Sequence, residues 1–180
     1  MNKVKYLLTY RYAEIIHDLT FEFCRKYINP KSRTKDQMEQ AARSGKQNII
    51  EGVSFSQTSK KGELKLLGVA KGSFEELLAD FEDFLRQKNL PIYPKNHPII
   101  THFRQTAFHL TNLRNLSNLG HLKERPKLPG NPTEDANFLL TLCHQETYLL
   151  DRQVKAAEEK FIKEGGYSEN LFKRRLKHLK

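Results

Sequence analysis

Leu67-Gly68-Val69-Ala70-Lys71-Gly72-Ser73-Phe74-Glu75-Glu76-Leu77-Leu78-Ala79-Asp80-Phe81-Glu82-Asp83-Phe84 is the stretch that decides the fold. Leu67, Ala70, Phe74, Leu77, Phe81 and Phe84 recur at alternating steps of three and four. Side chains at that spacing stack on one face of an α-helix. Sustained over this length, the stripe is the narrow seam of a helix in a bundle. Asn89-Leu90-Pro91 closes it, and Pro91, Pro94 and Pro98 make an irregular connection.

Working outward, the preceding helix carries Met38, Ala41, Gly45, Ile49 and Gly52 on its inner stripe. Glycine inside a helix costs about 1 kcal/mol against alanine, so two of them on one face predict close approach of another helix. For Gly52 a second reading, that it marks the helix end, stays open. Thr34 is expected to start this helix, capping it while Gln37 reaches back. Ser54 to Gly62 reads as a polar turn. The first helix shows one stripe of Val4, Leu8, Tyr12, Ile15, Leu19 and Phe23, ended by Asn29-Pro30. A fourth, less regular helix is expected from Ile99 to Leu116, then a Gly- and Pro-rich loop from Gly120 to Pro132. Thr133 opens the fifth helix, with a seam of Leu139, Cys143, Thr147, Leu150, Val154, Ala157 and Phe161, and Gly165-Gly166 stops it. Ser168 is expected to cap a last short basic helix. No alternating strand run or internal repeat stands out. The expected fold is all-α: an antiparallel up-down helical bundle with an additional helix and a short C-terminal basic helix. Its expected divisions are residues 1–90 for three helices, 91–132 for the connection, helix four and loop, 133–165 for the fifth helix, and 166–180 for the tail.

The chain has 180 residues, 38% of them hydrophobic and 29% charged. That is too apolar for a disordered chain and too polar for a membrane protein. The N-terminus starts basic but Arg11 and Glu14 interrupt any apolar run, and no stretch approaches the roughly 20 apolar residues needed to span a bilayer. Cys24 and Cys143 are the only cysteines, each beside an apolar neighbour, where thiols behave as small buried hydrophobes. A cytoplasmic protein without membrane partner or disulfide is expected.

Most site chemistries fail on residues. A di-iron bundle needs two Glu-x-x-His pairs and two further glutamates, and only Glu14-Ile15-Ile16-His17 matches. The cysteines form no Cys-x-x-Cys pair for zinc. Ser44-Gly45-Lys46 has Gln40 where a phosphate loop needs glycine, and no Gly-x-Ser-x-Gly elbow occurs. No catalytic residue, metal or cofactor is expected, so the protein is read as no enzyme.

Charge remains. Lys and Arg number 31 against 21 Asp and Glu, a formal net charge of +10. Lys173, Arg174, Arg175, Lys177 and Lys180 crowd the last ten residues without an acidic one. Arg43, Lys46, Lys60, Lys61, Lys65 and Lys71 form a second group around the junction of helices two and three, and Lys123, Arg125 and Lys127 a third. Such side chains gain binding energy by releasing counterions from phosphates. A solvated face that keeps the protein soluble is the competing reading.

Thr34-Lys35-Asp36-Gln37-Met38, followed by Ala41-Ala42-Arg43-Ser44-Gly45-Lys46-Gln47-Asn48-Ile49-Ile50-Glu51-Gly52, resembles a bacterial four-helix-bundle family. That family includes proteins encoded within intervening sequences of 23S ribosomal RNA genes and the accessory variability determinant of diversity-generating retroelements. Gly72-Ser73-Phe74-Glu75-Glu76-Leu77 is similar to its third-helix signature, and Ala136 through Tyr167 resembles the longer "four helix bundle suffix domain" variant. The resemblance implies an antiparallel bundle, a ring of five subunits and a basic surface that meets a reverse transcriptase and its RNA. Gln37, Asn48, Glu51 and Gly52 are the motif positions, and Asn48 and Glu51, three apart, are expected to hydrogen-bond across helices or to cap the turn near Gly52. Arg43 and Lys46 are candidates for a phosphate-facing pair, with an Arg43–Glu39 ion pair as the alternative. The expected function is a non-enzymatic, homo-oligomeric accessory factor that binds nucleic acid, RNA rather than DNA, with a reverse transcriptase as a partner. A protein-interaction module without nucleic acid is the alternative.

Overall fold

A computed structural model describes residues 3–178, so Leu179 and Lys180 of the basic run lie outside the described residues. The chain is all-α, with no strand among the described residues beyond an isolated antiparallel bridge between Leu116 and Leu122. The helices are α1 (Leu8–Tyr27), α2 (Arg33–Phe55), α3 (Lys60–Gln87), α4 (Pro98–Leu110), α5 (Pro132–Glu164) and α6 (Tyr167–His178). Short 3-10 turns run over Lys3–Tyr6 and Leu113–Asn115. None of the helices is long and apolar enough to cross a membrane.

The seam of α3 is buried from Leu67 to Phe84, and α3 packs on both α2 and α5, while α1 packs on α2 and α5 from the other side. Residue pairs run in opposite order along neighbours. Gly45 faces Phe74 and Gly52 faces Leu67, so α2 and α3 are antiparallel. Thr9 bonds to Gln153 and Tyr27 to Asp135, so α1 and α5 are antiparallel too. Phe23 anchors the core, edge-on to Phe81 at 5.1 Å and to Phe84 at 4.8 Å between ring centroids. Offset and edge-to-face rings of this kind add to their area burial. Helix α4 packs chiefly on α5, and α6 adds no packing of comparable extent.

Several boundaries differ from expectation, each for a local reason. Ser32, not Thr34, caps α2, its Oγ accepting from the Thr34 amide at 3.2 Å, and Gln37 is exposed on the next turn. The α2–α3 turn is only residues 56–59, because Ser59 caps α3 at once by accepting from Gly62 N at 3.0 Å. Gly52 therefore lies inside α2, in van der Waals contact distance of α3, and does not end the helix. Asn131 rather than Thr133 caps α5, and α4 stops at Leu110 before a 3-10 turn. Leu8 is 39% exposed at the start of α1, outside the stripe expected for it. Ser168 sits within α6, and in place of the expected serine cap the Glu169 carboxylate accepts from Gly166 N at 3.0 Å. Gly165 ends α5 at a positive φ (74°) but with ψ 176°, an extended conformation open essentially to glycine in place of the left-handed helical cap. In α5 the buried seam runs Leu139, Cys143, Glu146 and Leu150, with Thr147 only half-buried.

Candidate nucleic-acid interface

The expected cation cluster at helices two and three divides between faces. Lys46 points toward α1, its Nζ 3.3 Å from His17 Nδ1. Lys71 points toward α5, its Nζ 2.8 Å from Asp151 and 3.4 Å from Glu75. Those carboxylates raise the lysine's affinity for its proton. Lys60 is 3.1 Å from the Glu63 carboxylate one turn on. Arg43, Lys61 and Lys65 are exposed and have no ion-pair partner among the described residues. Glu39, the alternative partner for Arg43, is instead bound by Lys35 at 2.7 Å.

Of the motif positions, Asn48 turns inward to its own helix, donating from Nδ2 to the Ser44 carbonyl at 2.8 Å, so it neither bridges helices nor caps the turn. Glu51 and Gln37 are exposed. Gly52 is buried against α3. In the third group, Lys123 donates to the Arg114 carbonyl at 3.0 Å, which leaves Arg125 and Lys127 facing solvent.

Helix α6 carries Lys173, Arg174, Arg175 and Lys177, all exposed and none in an ion pair among the described residues. Its apolar side chains do not dock on the bundle: Phe172 is 62% exposed, and Leu171 and Leu176 are also exposed. The helix lies so that Arg174 and Lys60 line one polar notch of about 270 Å³, together with Ser56, Gln57 and Asn170. Arg174 of the C-terminal run and Lys60 at the start of α3 thereby face one notch, with the Glu164 carboxylate on its lining and Lys60 paired to Glu63. Nothing in the sequence pairs them, because more than a hundred residues separate Lys60 from Arg174 and neither interrupts a periodic pattern. Among the described residues no group of three or more His, Cys, Asp or Glu is placed to hold a metal ion. Both cysteines are free and buried, and burial pushes the Cys24 thiol up to about 12 and raises Cys143 as well. Neither is a nucleophile in that state. Compared with family models, curated proteins and solved structures, the chain has no match.

Proposed function

We propose that the protein is a non-enzymatic nucleic-acid-binding accessory factor whose contact surface is α6 together with the start of α3. The observation that carries this reading is that Arg174 and Lys60 line one notch, which brings the four exposed cations of α6 up to the start of α3, where Lys61 is exposed. Phosphates are bound by such a surface through counterion release, without sequence reading. The exposed rings of Tyr167 and Phe172 beside those cations favour single-stranded RNA, whose unstacked bases can lie on aromatic faces. In the same proposal α1, α2, α3 and α5 make an antiparallel up-down bundle, the architecture implied by the resemblance of the Thr34–Gly52 stretch. The apolar side chains left open on α6 and at Ile162 support assembly of several copies, five as the first choice, and contact with a protein partner such as a reverse transcriptase.

The test replaces Lys173, Arg174, Arg175 and Lys177 together by Gln and follows binding of a single-stranded RNA by fluorescence anisotropy across a salt series. Affinity is expected to fall, and the log–log salt slope to flatten by about 0.7 for each phosphate of the single strand that is no longer neutralised. Helix content and Tm are expected to stay unchanged, since these side chains are exposed. Equal affinity and equal slope for variant and parent would refute the assignment of α6.

A further inference from the structure

Between α3, α4 and α5 lies a cleft of about 410 Å³, remote from the basic surface and sharing no residue with it. Its outer wall is the chain from Pro91 to Pro98, whose three prolines fix φ and favour extended backbone. Asn137, 1% exposed on α5, fastens that wall. Its Nδ2 donates to the Pro91 carbonyl at 3.0 Å and its Oδ1 accepts from Tyr93 N at 2.8 Å. Tyr93 in turn stacks on His97, with rings 4.4 Å apart and 8° from parallel. The wall is thus tied to α5 at Asn137 and stiffened by its prolines, and the space beneath it is preformed.

The floor is apolar, made by the buried side chains of Ile100 and Leu140, with Ile92 and Tyr93 above. The rim carries Lys95 and Arg104 against a single carboxylate, Glu82, and none of the three has an ion-pair partner among the described residues. Gln145, also on the lining, has a buried amide oxygen with no hydrogen-bond partner among the described residues. We propose that this cleft binds a small planar, largely apolar anion bearing one hydrogen-bond donor, its acidic group held by Arg104 and Lys95 and its donor by Gln145. The size falls within the roughly 300–1,000 Å³ of small-molecule sites, which are apolar with a few placed polar groups. The excess of one rim cation selects the sign of the charge, and His144 adds none. Burial lowers the affinity of that imidazole for a proton, and Lys95 acts in the same direction against Glu82.

The acidic group is a carboxylate or a phosphate, and the experiment separates them. Anilinonaphthalene sulfonate, an aromatic, largely apolar anion with an N–H donor, is titrated into the full chain and followed by fluorescence. One saturable site is expected, with Kd raised about tenfold or more by Arg104→Gln and by Lys95→Gln, the loss of one charge-assisted hydrogen bond in each case. Both residues are exposed, so the variants keep their fold, as circular dichroism would verify, and Lys127→Gln serves as the unaffected control. Displacement of the probe by benzoate or by phenyl phosphate assigns the anion, and hydroxybenzoate is expected to compete better than benzoate through Gln145. Absence of saturable binding, or binding that neither substitution weakens, would overturn the proposal.

Discussion

Replacing Glu146 by Met is expected to stabilise this protein, although it removes an acidic residue from a basic chain. Glu146 is 0% exposed on the inner face of α5, and neither carboxyl oxygen has a hydrogen-bond partner among the described residues. Burying a polar group without compensation costs about 1–3 kcal/mol by protein mutational data. Met has a similar unbranched shape and no polar atom, so it recovers that cost. A second contribution depends on pH. Burial holds the carboxyl well above its ordinary value of 4.5, so it stays neutral in the native state after it has ionised in the unfolded chain. The native state then binds more protons than the unfolded one. Stability from this group is full below 4.5 and is lost as pH rises through the raised native value, by about 1.4 kcal/mol per pH unit across that window. Its titratable neighbours include the Tyr12 hydroxyl on α1 and the Cys143 thiol on α5, and burial raises both. Urea unfolding followed by circular dichroism, at several pH values from about 5 to about 8, measures both parts. Glu146→Met is expected to raise the unfolding free energy by about 1–3 kcal/mol at the acid end and by more at the alkaline end. Glu146→Gln, which keeps a buried amide, is expected to flatten the pH profile alone. A Met variant no more stable than the parent, with a parallel pH profile, would refute the reasoning.

Gly45→Ala is expected to cost about 1–3 kcal/mol by overpacking, because its Cβ would lie 2.6 Å from Cζ of the fully buried Phe74 ring, whereas Gly68→Ala, with nothing within 4 Å, is expected to gain about 0.5–1 kcal/mol from backbone entropy; thermal melts of the two variants check the pair. Cys24 and Cys143, buried and pushed up to about 12 and beyond the ordinary thiol range respectively, are expected to resist a disulfide-exchange reagent in the native protein and to react together on unfolding. Light scattering on the purified chain is expected to give a multiple of 21.1 kDa, and a strict monomer at high concentration would remove the assembly proposal.

The all-helical class, the α3 seam and the small-residue stripe of α2 were legible because each rests on a local period that packing then satisfies. Every position of the α3 seam is buried, and Gly45 lies where its missing Cβ makes room for Phe74. The cations were countable but not placeable. Lys46 and Lys71 are each marked by the sequence, yet which face each takes depends on His17 in α1 and Asp151 in α5, partners that no local pattern supplies. The same holds for Lys60 and Arg174, and for the cleft under Pro91–Pro98, whose wall is set by Asn137, 44 residues beyond the Tyr93 amide that it holds.

Glu146 shows where periodicity reaches its limit. An α-helix repeats every 3.6 residues, so after Cys143 the seam can step by three to Glu146 or by four to Thr147 and reach the same Leu150. Hydropathy chooses threonine, since a buried carboxylate without a partner costs far more than a buried hydroxyl. The packing of α1 against α5 brings Tyr12 into the neighbourhood of position 146 and turns Thr147 half outward. The buried apolar neighbours Leu139, Leu142 and Leu150 hold α5 in that phase, and their combined burial outweighs one unfavourable side chain. The chain resolves the conflict by leaving the carboxyl neutral, a state visible only once its neighbours are fixed in space.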